Sequence, residues 1–432
     1  MRDYVLNEDG SLTLIDRILN KEEYNEKEFW IDDEGLLLSY NGKSKIVRIP
    51  YGVIEIGSFA FRDNTTMENV VIPESVRIIG SYAFDGCSKM IEINIPNTLY
   101  EIQDWAFGKC SSLTFIKIPD SVVKIGDSAF EKCTSLSQAH LPYNISGISK
   151  DLFYECERLE NIVVSDRITE IGEGAFYGCT SLKTFKIPNK VKRIGKAAFQ
   201  GCTSLMEIHI PESVTIIEDF AFNGCMDLIT INMDYSAYLK LKNSSLDNKF
   251  SVQLPNSIEY IGKAVFARCT SIESVYISKN TTSIGELAFC GCINLEYIEL
   301  NASVEKISKG MFKQCQNLRE IVISNSVVNI DEDSFRECIS LVALNIPTNL
   351  KTIGAYSFKG CKALTQINLP ETVKEIGLFA FYDCSDLDAT IDSSTEVSGS
   401  FDGCKRLRRK FGPFTIPTRT YFDNKKGNWR RL

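Results

Sequence analysis

The stretch from Cys179 to Phe199 reads CTSLKTFKIPNKVKRIGKAAF, and it decides the fold. The pattern L-x-x-Φ-x-Φ (Φ apolar) that begins at Leu182 alternates apolar and polar residues, which predicts a half-buried β-strand. Pro188 ends this strand, because proline cannot donate a ladder hydrogen bond. The later apolar residues, as far as Phe199, bring the chain back across the unit.

This unit recurs with a period of 23 residues. Phenylalanine marks each period in two runs, with one gap of 44 residues between them and a shortened last step: Phe61, Phe84, Phe107, Phe130, Phe153, Phe176, Phe199 and Phe222, then Phe266, Phe289, Phe312, Phe335, Phe358, Phe381 and Phe401. A single unit is too small to bury its apolar edge, whereas stacked units share one continuous core. The sequence therefore predicts a solenoid of 23-residue rungs.

One longer string joins the columns of this repeat. It reads I-P-x-x-V-x-x-I-G-x-x-A-F-x-x-C-x-x-L and occurs as IPESVRIIGSYAFDGCSKM, IPDSVVKIGDSAFEKCTSL and LPETVKEIGLFAFYDCSDL. On these strings the chain resembles the BspA-like, or Treponema-type, leucine-rich-repeat family over about residues 46–407. The resemblance implies an α/β-type curved solenoid with a parallel sheet on the concave face and turns, irregular or helical return segments on the convex face. It also implies secreted or surface proteins that adhere to molecules of host or neighbouring cells.

Three regions depart from the regular rungs. Residues 1–45 are expected to form an N-terminal cap, in which Asn41-Gly42 between apolar runs predicts a two-residue hairpin. An irregular rung at 235–254 is either a degenerate rung that still stacks or a hinge or protruding loop that partners use. Residues 408–432 are expected to form a basic C-terminal cap or tail.

Charge and hydropathy restrict the partners. The net charge is −8, and the last 28 residues hold ten of the 48 basic and one of the 56 acidic residues, so the remainder carries −17. This charge argues against nucleic acid as a partner of the solenoid body. The basic tail is interpreted as a cap, or alternatively as a weak contact with an anionic surface. No apolar run predicts a transmembrane segment or a signal peptide, so the cell surface and the cytoplasm both stay open as locations.

Fourteen of the fifteen cysteines follow a repeat phenylalanine by three residues, which makes them a structural column. A thiol in that column suits a small buried position with a weak S–H donor. The spacings do not match a zinc site, and we expect no metal and no cofactor. His140 and His209 also belong to the repeat, lie 69 residues apart and point away from the core, and no catalytic motif string is present. The sequence thus predicts a protein that is not an enzyme.

Function is then expected on the exposed strand positions. Two groups on this surface are candidate ligand-binding sites: Phe115, Lys117 and His140, and Tyr276, Tyr297 and Glu299. Their aromatic rings are the kind of anchor that concentrates binding energy; the alternative is that they stabilise the sheet by cross-strand pairing. The predicted function is non-catalytic binding of a protein or glycoprotein by a monomer, in protein–protein interaction or adhesion. The alternative is a cytoplasmic structural scaffold with no adhesive role.

Overall fold

The structure is a computed structural model that describes residues 26–233 and 251–404, except 393 and 398, together with Leu239 and the backbone of six short strands nearer the ends. These strands are Tyr4–Leu6, Leu12–Leu14, Arg406–Phe411, Phe414–Ile416, Thr420–Asp423 and Asn428–Arg431. The chain forms two compact units, Met1–Leu182 and Lys183–Leu432. Both units are built from the same two kinds of parallel strand.

The first kind, here named the A strands, follows the L-x-x pattern. In Phe115–Lys117 the middle residue is buried and its neighbours are exposed, as the alternating pattern predicts. The A strands of the first unit are Ile46–Arg48, Asn69–Val71, Glu92–Asn94, Phe115–Lys117, Gln138–His140 and Asn161–Val163. Those of the second unit are Thr184–Lys186, Glu207–His209, Thr230–Ile231, Val252–Gln253, Ser274–Ile277, Tyr297–Leu300, Glu320–Ile323, Ala343–Leu344, Gln366–Asn368 and Asp388–Asp392.

The second kind, the B strands, is two residues long and ends in most rungs on the isoleucine of the Ile-Gly pair. In the first unit these are Glu55–Ile56, Ile78–Ile79, Glu101–Ile102, Lys124–Ile125, Gly147–Ile148 and Glu170–Ile171. In the second they are Arg193–Ile194, Ile216–Ile217, Tyr260–Ile261, Ser283–Ile284, Lys306–Ile307, Asn329–Ile330, Thr352–Ile353, Glu375–Ile376 and Glu396–Val397. The glycine after the strand allows close approach, since a Cβ on Gly57 would lie 2.7 Å from the carbonyl oxygen of Leu37.

Each rung returns through a turn segment around its phenylalanine. Around Phe61, the residues two positions before and after it, Phe59 (φ 64°) and Asp63 (φ 58°), have left-handed backbone, and most rungs repeat this pair. An α-helix requires a negative φ at every residue. The helical alternative for the return segments, and with it the α/β-type class, is therefore wrong for the 23-residue rungs that the structure describes, which contain turns and B strands.

The core is a column of stacked phenylalanine rings. In the first unit the ring centroids of Phe107 lie 5.3 Å from Phe84 and 5.2 Å from Phe130, with the planes within a few degrees of parallel. In the second unit Phe289 lies 5.4 Å from Phe266 and 5.8 Å from Phe312. All of these side chains are fully buried, which confirms the predicted phenylalanine column.

The cysteine column lies beside these rings. The thiol of Cys87 donates a hydrogen bond of 3.1 Å to the carbonyl oxygen of Phe61, one rung earlier, and Cys110 repeats this contact with Phe84 at 3.2 Å. None of the fifteen cysteines forms a disulfide, and all but Cys290 and Cys404 are buried. The prediction of a buried structural column is confirmed, and the thiols have the further role of capping carbonyl groups within the turns.

The irregular rung lies almost entirely outside the described residues, which omit 234–238 and 240–250. On either side of it, Phe222 stacks directly on Phe266 at 5.6 Å, and the B strand Ile216–Ile217 pairs with Tyr260–Ile261. The A side instead keeps one further strand, because Val252–Gln253 pairs with Ile231 on one side and with Ser274–Ile277 on the other. Around the irregular rung the described residues therefore contain one extra A strand, but no extra B strand and no extra phenylalanine layer. The interpretations of residues 235–254 themselves stay predictions.

The first rung is preceded by an antiparallel hairpin of Phe29–Ile31 and Leu36–Tyr40, which follows a short 3₁₀ helix at Glu26–Glu28. Leu36–Tyr40 continues the sheet of B strands by pairing with Glu55–Ile56. A hairpin is present in the cap, but the prediction that it turns at Asn41-Gly42 is wrong, since that pair links a B-side strand to the A strand Ile46–Arg48. Gly42 instead makes room for the hydroxyl group of Tyr40 and the carboxylate of Glu28.

Strands near the ends of the chain also pair. Tyr4–Leu6 and Leu12–Leu14 are antiparallel. Arg406–Phe411 extends the A side by pairing in parallel with Asp388–Asp392 and then turns back onto Phe414–Ile416. Thr420–Asp423 and Asn428–Arg431 form a further antiparallel pair. Side chains 405–432, and with them the prediction for the basic tail, lie outside the described residues.

Candidate functional site

The outward side chains of the A strands form a surface in each unit, here named the A face. Inward positions repeat almost the same apolar residues from rung to rung, whereas outward positions differ. Some outward residues are amides or hydroxyls, namely Asn69, Asn94, Gln138, Asn161, Thr184, Gln253, Ser274, Gln366 and Asn368, and others are charged, namely Arg48, Glu92, Lys117, Lys186, Glu207, Glu299 and Glu320. The A face thus varies from rung to rung, and a place where charged and aromatic side chains converge can mark a binding site.

In the first unit the structure brings Phe115, Lys117 and His140 together, as the sequence predicts. Lys117 pairs in register with His140 on the next strand, and Phe115 pairs with Gln138. The Phe115 and His140 rings lie 5.6 Å apart at 73°, an edge-to-face contact. Phe115 is nevertheless 43% exposed, so this cross-strand contact leaves much of its ring available to a ligand.

In the second unit Tyr276 pairs in register with Glu299, and Tyr297 lies diagonally from Tyr276 on the same face. All three side chains are half-buried. The pKa of Tyr297 is raised by burial, with further contributions from the carboxylates of Glu299 and Glu320. The amide of Asn301 donates a hydrogen bond of 2.6 Å to Glu299. The predicted group is thus brought together, but packing holds its rings more firmly than it holds Phe115.

A third group on the A face was missed at the sequence level. Lys186 pairs in register with His209, and Thr184 pairs with Glu207. These four residues border a shallow depression of about 340 Å³ that also touches Met233, the last described residue before the irregular segment. The signal that could have found it is the recurrence, after 69 residues, of a lysine followed 23 residues later by a histidine.

Among the described residues, no cluster of three or more His, Cys, Asp or Glu side chains is suited to hold a metal ion. Burial raises the pKa of the Cys87 thiol to about 12, which keeps it protonated and unreactive near neutral pH. None of the described helices is long and apolar enough to cross a bilayer.

The parallel A and B strands, the stacked phenylalanines and the varied A face define a leucine-rich-repeat solenoid. The chain belongs to the family described as BspA type leucine rich repeat region (6 copies), whose model matches residues 54–183, 169–251, 240–347 and 329–416. This membership confirms the resemblance found in the repeated strings.

Solved structures agree with this assignment. A leucine-rich repeat protein from Bacteroides ovatus is 23% identical with a TM-score of 0.67, and the match covers 90% of this chain and all of that one. A leucine rich cell surface protein from Faecalibacterium prausnitzii is 27% identical with a TM-score of 0.53, covering 79% of this chain and 93% of that one. No curated protein sequence matches the chain.

Proposed function

We propose that this protein is a non-catalytic binding protein that holds a protein or glycoprotein partner on its A face. One observation carries the proposal: Phe115, Lys117 and His140 converge on one patch of the A face, with the Phe115 ring 43% exposed. Exposed aromatic rings beside a cation supply anchors of the kind that dominate interface energies. The Tyr276, Tyr297 and Glu299 group is a second anchor of the same kind.

Adhesion at the cell surface is the setting that we propose for this binding. The similarity to the cell surface protein from Faecalibacterium prausnitzii supports this location, as does membership in the BspA type family. Protease treatment of intact cells that make the protein tests it, because a surface protein is cleaved while a cytoplasmic control protein survives. An uncleaved chain in those cells would instead favour the cytoplasmic scaffold.

Site-specific photo-crosslinking tests the binding face and captures a partner of any identity. A benzophenone amino acid replaces Phe115 or Tyr276 on the A face, and irradiation is carried out in the presence of the cells that the protein contacts. The matched control positions are Tyr100 and Tyr260, exposed aromatic residues on the B side of the same two units. We expect partner adducts from positions 115 and 276, and adducts of equal yield from positions 100 and 260 would contradict the proposal.

A further inference from the structure

Both histidines of the chain lie beside a lysine on the A face. Lys117 pairs in register with His140 in the first unit, and Lys186 pairs with His209 in the second. The chain has only two histidines, so each of them takes part in such a pair. In-register residues on adjacent strands are about 4.8 Å apart, close enough for both side chains to contact one ligand group.

These lysines differ from many others in the chain. Elsewhere lysines form ion pairs between neighbouring rungs, as Lys124 does with Glu101 at 2.7 Å. Neither Lys117 nor Lys186 pairs with a carboxylate among the residues that the structure describes. Among the described residues, two ammonium groups therefore face outward without a carboxylate partner, on a protein whose net charge is −8. An anionic group is the natural complement to such a site.

The surroundings of the two pairs distinguish them. Beside Lys117 and His140 lie the exposed ring of Phe115 and the amide of Gln138. At the equivalent positions beside Lys186 and His209 lie Thr184 and Glu207. The first pair thus has an apolar ring and an amide that can donate and accept hydrogen bonds, and its nearest outward carboxylate, Glu92, lies on the preceding strand beside Phe115. The second pair has the carboxylate of Glu207 on the same strand as its histidine, where it repels anions.

Resting on the proposed function, the geometry points to an acidic sugar, a carbohydrate unit that carries a carboxylate or sulfate, as the group bound by Phe115, Lys117, Gln138 and His140. The ammonium group of Lys117 and an N–H of His140 donate to the anionic oxygens. The Gln138 amide both donates to and accepts from sugar hydroxyl groups. The Phe115 ring covers the apolar C–H face of the sugar. Polyglutamate would use Lys117 and the N–H of His140 but has no flat C–H face to cover the Phe115 ring.

The two histidines provide the measurement. Protein labelled with ¹³C at the histidine rings gives two ring signals, one reporting on each pair, and is titrated with each probe at one fixed pH. The probes are a hexuronate-containing tetrasaccharide, a neutral tetrasaccharide and polyglutamate. We expect the acidic tetrasaccharide to shift the His140 signal to saturation, at a concentration about tenfold lower than for His209, the order of effect of one hydrogen bond to a charged group.

Variants assign the shift to named side chains. K117Q should weaken the His140 response by about tenfold while leaving the His209 response unchanged, and the latter also shows that the fold is retained. K186Q is the matched control and should leave the His140 response as in the wild type. F115A should weaken the response of the His140 signal to the acidic tetrasaccharide and leave its response to polyglutamate unchanged.

Several results would overturn the assignment. The proposed site would be rejected if the His140 signal shift never saturated, or if it were unchanged in the K117Q variant. An equal response to polyglutamate and to the acidic tetrasaccharide would replace the sugar with a bare anion, as would equal midpoints at His140 and His209. Because photo-crosslinking from positions 115 and 276 does not depend on sugar chemistry, adducts there without any acidic-sugar response would reject this inference and leave the proposed function standing.

Discussion

The inside of each rung and its A face lie on the same short strand and follow different rules. Ile116 is buried in the core, while Phe115 and Lys117 on either side of it face outward. The inward positions repeat because every rung must match the rungs beside it in size and shape. The outward positions contact each other, solvent or a partner and lie outside the close-packed core, so they differ more freely. Stability and recognition are thus separated within three residues, and single substitutions can be aimed at one or the other.

The sharpest separation is expected between two phenylalanines. Phe107→Ala removes a fully buried ring stacked on both sides and should cost about 3–5 kcal/mol of unfolding free energy. Phe115→Ala removes a ring that is 43% exposed and should cost far less. Chemical denaturation measures both variants, and the Phe107→Ala transition should also broaden, because coupling between the flanking rungs is lost. Equal destabilisation by the two variants would contradict the claim that inward positions contribute more to stability than outward positions.

Labelling of the cysteine column tests whether the inward positions of the rungs are buried. Burial raises the pKa of Cys87 from 9.0 to about 12, so near neutral pH its thiolate population falls about a thousandfold. Cysteine reagents attack the thiolate. In native protein we expect labelling of Cys290 and Cys404 at most, the two that are not fully buried. In denaturant without reductant all fifteen should react, as counted by mass spectrometry. Rapid native labelling of the whole column would show that the inward register is wrong.

The A face should show a loss of binding rather than of stability. Replacing Tyr276 and Tyr297 together with alanine should weaken a partner that uses this group by more than about 2 kcal/mol. Tyr260→Ala, on a B strand of the same unit, is the matched control and should leave affinity unchanged. Affinity for the crosslinked partner and thermal stability are measured on the same samples. A matching loss of stability would assign the two half-buried rings to cross-strand packing instead.

The smallest effect is expected from charges away from the A face. Lys192 and Lys196 flank a B strand and are exposed. Their exchange for glutamine should change affinity by a few tenths of a kcal/mol at most, which is typical of surface substitutions outside a site. A large loss here, with the tyrosine variant unaffected, would move the binding surface to the return side of the rung.

The sequence predicted what periodicity controls and missed what it does not. The A strands, the phenylalanine column and the cysteine column follow from inward residues that recur every 23 positions. The left-handed turns were missed because residues as different as Phe59, Trp105 and Ala197 adopt them, so no residue type marks the position. The Asn41-Gly42 pair led to a wrong hairpin prediction. A glycine that is needed for the close approach of side chains looks the same in the sequence as a glycine that is needed for a turn.

The candidate sites were predictable to the extent that strand register places residues side by side. That register correctly joined Lys117 with His140 and Tyr276 with Glu299. The sequence could not show that Tyr276 and Tyr297 are half-buried while Phe115 is exposed. All three occupy outward positions in the alternating pattern, and that pattern does not tell how much of a side chain its neighbours cover. Lys186 and His209 repeat the spacing of Lys117 and His140, but no outward aromatic residue beside them marks the pair in the sequence.

Phe222 stacks directly on Phe266 although 44 residues separate them in the sequence, so the chain is longer here than the phenylalanine column requires. Between them the polypeptide leaves and re-enters on the A side, so residues 234–250 add sequence without adding a layer to the phenylalanine column. At this junction extra length can be accommodated outside the repeat. A foreign peptide or a small reporter domain could therefore be grafted there, where it would leave the periodic scaffold intact and emerge beside the A face.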